Sequence, residues 1–135
     1  MVTLLKVSQV ELAEYLETSI QALANELMRA NGWSPEQSMA ASLQSFNMLL
    51  PDRIVDSPNQ FLRTIVADGK KVGILWFGLR GEREAVVWDI LIDPPYRSRG
   101  CGKAAMMVME DELRKMKISS VILNVFQRVP ALSDL

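Results

Sequence analysis

The sequence predicts an α+β fold, a three-layer α/β arrangement in which helices cover both faces of a mixed, mostly antiparallel sheet. Three observations carry that expectation. Two helices with explicit start signals stand near the N-terminus. Three strand-like runs joined by tight turns form a meander in the middle, and a helix followed by a last apolar run closes the pattern.

Residues 3–7 form a short apolar run and read as a first strand. Ser8 with Glu11 three positions on is a capping box, the local signature of a helix start. Leu12, Leu16, Ile20, Leu23 and Leu27 follow at spacings of four, four, three and four, which places them on one apolar stripe. Gly32 supplies the stop. A second start stands at Ser34-Pro35-Glu36-Gln37, with Ser as cap, Pro in the first helical position and Gln three beyond the cap. That helix is expected to run to about Leu50 and to end at Pro51.

Residues 61–67 are apolar and β-branched, Asp68-Gly69 is a turn pair, and residues 71–78 continue as the partner strand. Arg80-Gly81-Glu82 turns the chain again into a third strand over residues 84–93, which Pro94-Pro95 breaks. Residues 100–117 are helical in pattern, with Met106, Met109, Leu113 and Met116 on one side, and residues 120–126 form a last strand. No repeat, low-complexity tract or linker interrupts this order, so residues 1–135 are expected to form a single domain.

Composition excludes several function classes. About half of the 135 residues are apolar, enough for a real core. Fifteen basic against sixteen acidic residues argue against a dedicated nucleic-acid binder, which carries a basic excess on one face. The apolar runs fall short of the ~20 residues that span a membrane, and the N-terminus lacks the layout of a signal peptide. With one cysteine there is no internal disulfide, and a cytoplasmic location is expected. The absence of histidine removes Ser-His-Asp triads, Cys-His dyads and His-liganded metal, and a lone Cys101 removes thiolate metal sites, so no metal is expected. Acid–base chemistry is left to carboxylates, Tyr, Lys, Cys, backbone groups and water.

The informative stretch is Ile90-Leu91-Ile92-Asp93-Pro94-Pro95-Tyr96-Arg97-Ser98-Arg99-Gly100-Cys101-Gly102-Lys103-Ala104. A strand runs into a loop with two glycines and straight into a helix. Gly100 and Gly102 admit close backbone approach of a ligand. The first amides of the following helix point outward at the positive end of its dipole, and Arg97, Arg99 and Lys103 add charge, a setting that suits a pyrophosphate. A P-loop reading fails, because Arg97 stands at its first glycine and Ala104 replaces Ser/Thr. A dinucleotide fingerprint tolerates Ala105 in its third place but lacks the N-terminal βαβ unit.

Arg97-Ser98-Arg99-Gly100-Cys101-Gly102 fits the pattern [Q/R]-x-x-G-x-[G/A] and thereby resembles the acyl-CoA pyrophosphate motif of the GNAT superfamily of N-acetyltransferases. Residues 90–102 follow the longer family pattern with Ser98 in place of a glycine. The order of elements upstream is also similar, and Val72-Gly73-Ile74-Leu75-Trp76 and Val121-Ile122-Leu123-Asn124-Val125-Phe126 resemble a bacterial subgroup. The resemblance implies a cytoplasmic N-acetyltransferase that moves an acetyl group from acetyl-CoA, its cosubstrate, to a primary amine acceptor. It implies that the backbone of Ile90, Leu91 and Ile92 holds the pantetheine arm, and that the amides from Ser98 through Arg99, Gly100, Cys101 and Gly102 to Lys103 hold the pyrophosphate. The bland alternative for the side chains of Arg97, Arg99 and Lys103 is ordinary surface charge, and Cys101 fills a variable position.

An amine of ordinary pKa near ~10.4 must lose a proton before attacking a thioester. Glu84, at the start of the strand leading into the motif, is the first candidate base. Asp89 is the second, and simple alternation over five residues puts it on the opposite face of the strand. The alternative for either carboxylate is a solvated or hydrogen-bonded surface group.

The family pattern breaks after the last strand. Members of the superfamily usually continue N-x-x-A-x-x-L-Y, whose tyrosine is often the acid for the departing thiolate. Here that register meets Val129, Leu132 and Leu135, with Pro130 where a helix should begin. The expectation is a truncated or altered C-terminus that lacks the last helix and strands. A catalytically impaired CoA-binding or structural remnant therefore stands as the alternative function. A strand of residues 121–126 buried on both faces would then leave an apolar edge, from which a homodimer is expected.

Overall fold

The computed structural model describes residues 1–55 and 57–124. In chain order the elements are β1 (Val2–Lys6), α1 (Gln9–Asn31), α2 (Pro35–Leu49), β2 (Gln60–Ala67), β3 (Lys70–Arg80), β4 (Glu84–Ile92), a 3-10 turn (Pro94–Tyr96), α3 (Cys101–Lys115) and β5 (Ser120–Leu123). The expected order is present throughout, with boundaries moved by one or two residues, except that β5 ends at Leu123 with Asn124 outside it, while residues 125–126 of the expected strand lie outside the described residues.

Both anticipated capping boxes form. Ser8 Oγ accepts from the Glu11 amide while the Glu11 carboxylate accepts from the Ser8 amide, each at 3.1 Å. Ser34 and Gln37 repeat the exchange at the start of α2. Gly32 ends α1 in the left-handed region at φ 67°, where a side chain would be strained.

The five strands lie in sequence order, β1-β2-β3-β4-β5. The first three pairings are antiparallel and β4–β5 is parallel, with α3 as the crossover between them. Helices cover both faces. On one face Met109 and Leu113 of α3 pack with Leu75, Phe77, Val87 and Ile90. On the other, Leu12, Tyr15, Leu16 and Ile20 of α1 and Phe46 of α2 close over Leu62 and Trp76. Trp76 is fully buried and packs its ring against Phe46, Tyr15 and Trp88, and its indole N–H donates to Gln60 Oε1 at 2.8 Å.

One expectation fails in β5. A strand buried on both faces was expected, but Val121, Ile122 and Leu123 retain 37, 37 and 46 % of their surface. The reason is position: β5 lies at the sheet edge, with β4 as its one strand neighbour among the described residues. The expectations for residues 125–135, the altered register at Val129, Pro130, Leu132 and Leu135 included, fall outside the described residues.

Candidate active site

The candidate site is organised by β4, and its decisive feature is a register shift. Phe77 lies opposite Val87, yet Trp76 lies opposite Asp89, so Trp88 is an extra residue in the ladder. Directly opposed residues share a face. Gly78 and Trp76 are two apart on β3, hence their partners Val86 and Asp89 point the same way, as does Glu84 opposite Arg80. This corrects the simple alternation: the bulge carries Asp89 onto the same face as Glu84, toward α1.

The two carboxylates sit in different surroundings. Glu84 begins β4, where Arg80 Nε donates to it at 2.6 Å, and its side chain keeps about a third of its surface (32 %). Asp89 is fully buried. Its Oδ2 accepts the Tyr15 hydroxyl at 2.5 Å, and Tyr15 in turn stands edge-on to Trp76. Asp89 is therefore not the surface carboxylate that the sequence left open, and a buried carboxylate needs such donors. Tyr15 was missed as a site residue. The signal was available: it lies three residues after Leu12 on the buried stripe of α1, so its hydroxyl had to meet the sheet.

The same bulge divides the outer edge of β4. Residues 84–87 pair with β5, and the Asn124 amide adds a last bond to the Val87 carbonyl at 3.0 Å. Beyond that point no described strand lies on this side. The Asp93 amide donates to Val72 O in β3, so by alternation Ile92 and Ile90 direct their backbone groups to the open side. The Ile92 carbonyl is taken there by Arg97 Nε at 2.8 Å. The Leu91 carbonyl faces Gly73 of β3, so close that a side chain at Gly73 would collide with it. Of the three backbone positions singled out in the sequence, Ile90 thus presents its groups most openly, and Arg97 ties the loop to the strand.

The loop then prepares the start of α3. Ser98 adopts φ 61° and Gly100 φ 81°, both in the left-handed region. The first value accounts for the glycine that the motif usually carries at the Ser98 position, since a Cβ is strained there. Gly100 is the N-cap and offers no side chain to the helix, and the first helical bond is the Ala104 amide to Gly100 O at 3.0 Å. The amides of Cys101, Gly102 and Lys103 are therefore left uncapped at the positive end of the helix dipole. Arg99 and Lys103 are exposed beside them, Cys101 is half-buried, and Gly102 is buried against the sheet side. Neither Arg99 nor Lys103 is in an ion pair among the described residues, so both charges are open to an anion.

Comparison with known proteins gives the family. Residues 20–131 match the model of the acetyltransferase (GNAT) family. The chain is 32 % identical over 120 residues to the uncharacterized N-acetyltransferase YycN of Bacillus subtilis, covering 86 % of this chain and 76 % of that one. The crystal structure of YycN superposes with a TM-score of 0.81 at 28 % identity, over 96 % of this chain and 84 % of that chain. A ribosomal-protein-alanine N-acetyltransferase from Brucella melitensis shares the fold, with a TM-score of 0.57 at 21 % identity over 96 % of this chain and 83 % of its own. The open edge of β4, the left-handed turn and the uncapped helix thus sit in a chain that belongs to the acetyltransferase (GNAT) family of acyl-transfer enzymes.

Proposed function

We propose that this chain is a cytoplasmic N-acetyltransferase that carries an acetyl group from acetyl-CoA to a primary amine. The observation that carries the reading is the continuous run from the open β4 edge at Ile90 to the uncapped amides of Cys101, Gly102 and Lys103. These residues fit the cosubstrate. A pyrophosphate needs several convergent N–H donors and a positive field, and the start of α3 offers both, with Arg99 and Lys103 adjacent. A pantetheine amide needs an unpaired strand edge, which Ile90 provides. Acetyl-CoA, when bound, supplies the acyl group as a reactive thioester.

The chain's own contribution is to hold and move protons. Between the two candidate bases the geometry favours Asp89. It lies next to Ile90 in the chain, whereas Glu84 is six residues from Ile90, roughly 20 Å at ~3.3 Å per residue, and is engaged by Arg80. Asp89 is buried and is reached through Tyr15: a proton taken up by the Tyr15 oxygen releases its own to Asp89 Oδ2. Tyr15 is thus the second member of the proposed base.

Acetyl-CoA at about a hundred times its dissociation constant should stabilise the fold by ~2.7 kcal/mol, read as a rise in melting temperature. A shift with NADH or ATP and none with acetyl-CoA would sink this reading. Release of free CoA with a panel of amines separates an active enzyme from a chain that only binds. The half-exposed apolar side chains of β5 support association of two copies through that edge, and light scattering at micromolar concentration checks it: a clean monomer removes the dimer.

A further inference from the structure

A cavity of about 250 Å³ opens between α1 and the ends of β3 and β4 where the sheet meets the glycine loop. Its walls are of three kinds. Ile74, Leu91 and Val7 make an apolar floor. Glu11, Glu14 and Asp93 bring three carboxylates against the single ammonium of Lys71. Lys71 is already committed to Glu11, whose pKa its hydrogen bond, with help from the Ser8 amide, lowers to about 2. That leaves Glu14 and Asp93 exposed at the mouth, with no ion pair among the described residues. The third element is Ser19. It lines the cavity, is 2 % exposed, and its hydroxyl finds no hydrogen-bond partner among the described residues. A buried hydroxyl without a partner is costly unless something else satisfies it, and here the cavity is the open side.

Resting on the acetyltransferase reading, we infer that this cavity receives the acceptor, and that the acceptor is an aliphatic diamine or longer polyamine. Charge sets the class. A carboxylate beside the reacting nitrogen would hold it as an ammonium and oppose attack. Two uncompensated carboxylates at the mouth therefore serve a second cationic centre, while the reacting nitrogen lies deeper. Tyr15 forms part of the same wall and leads from the cavity to Asp89. The apolar floor takes the methylenes and Ser19 Oγ meets a nitrogen. The cavity, at about 250 Å³, holds a short diamine.

The test is calorimetric titration of diaminobutane, butylamine and aminobutyrate into the protein with CoA present, so that no turnover occurs. Diaminobutane should bind at least about tenfold more tightly than either comparator, and Glu14→Gln with Asp93→Asn together should remove that preference. Glu17→Gln, an exposed neighbour on α1 outside the cavity, should leave it intact. Equal binding of the three amines to the unmodified protein, or a preference that survives the double substitution, overturns the assignment. The melting shift with acetyl-CoA, measured on the same samples, separates the two readings. A retained shift without diamine preference overturns the cavity alone, and loss of both overturns the acetyltransferase reading beneath it.

Discussion

The two halves of β4 are built to different ends from nine consecutive residues. In the first half, residues 84–87, every position has a strand on each side, and Ala85 and Val87 are completely buried beneath α3. In the second half, residues 88–92, one neighbour is gone among the described residues, an extra residue disturbs the ladder, and a carboxylate is buried. A sheet interior tolerates neither a missing partner nor a buried acid without reason. The first half resembles any core strand. The second gives up pairing and leaves an open strand edge beside a buried acid–hydroxyl pair. On the proposed reading the difference divides the element: its start serves packing alone, and its end adds the candidate site to the buried Ile90 and Ile92.

The comparison breaks most visibly if the first half is hollowed out. Phe77 lies opposite Val87, is fully buried and stacks on Phe61 at 5.1 Å between ring centroids. Phe77→Ala should cost about 3–5 kcal/mol in a denaturant titration, while the folded fraction keeps its acetyl-CoA shift. A loss under about 1 kcal/mol would show that this half is not where stability resides.

The second half is probed at its acid. Asp89→Asn should reduce turnover by about a hundredfold at neutral pH and less at alkaline pH, where more amine is already neutral, with the KM for acetyl-CoA little changed. Tyr15→Phe should follow the same pH profile more weakly. Glu84→Gln serves as the contrast: if it, and not Asp89→Asn, lowers turnover, the base belongs to the first half after all.

Smaller effects come from the loop and the surface. Gly100 sits at φ 81° with open space where a side chain would project, so the obstacle to substitution is backbone strain rather than collision. Gly100→Ala should cost about 1 kcal/mol of stability and weaken acetyl-CoA binding by crowding the amides of α3. Unchanged binding would move the pyrophosphate elsewhere. Least of all, the Glu11–Lys71 pair holds the Glu11 carboxyl at about 2 against its usual 4.5, chiefly through the Lys71 hydrogen bond. A lowered carboxylate pKa stabilises the fold above pH 4.5, and that contribution fades as the pH falls from 4.5 to about 2. Glu11 keeps nearly a third of its side-chain surface, so the effect stays below ~1 kcal/mol. Lys71→Met should flatten the acid limb of the stability curve over that window, and an unchanged limb would remove the pair from the account.

Much of this molecule was legible in the chain because its signals are local. Both capping boxes, the glycine stop of α1, the Asp68-Gly69 turn and the loop around Gly100 depend on residues within a few positions of one another, and each formed as expected. The family motif belongs to the same class, since a strand, a left-handed turn and a helix start are contiguous. What the sequence alone could not determine was decided by contacts across long separations. The face on which Asp89 lies depends on a bulge that exists only when β3 pairs with β4, and its partner Tyr15 is 74 residues away. The exposure of β5 follows from its edge position in the sheet, which an apolar run cannot announce. The cavity gathers Glu14 and Ser19 from α1 with Asp93 after β4, brought together when the helix packs across the sheet. Periodicity assigns residues to faces one element at a time, so the sequence determined the elements and the strand–turn–helix corner. Register and packing alone decided which acid is buried against α1 and which residues line the cavity beside that helix.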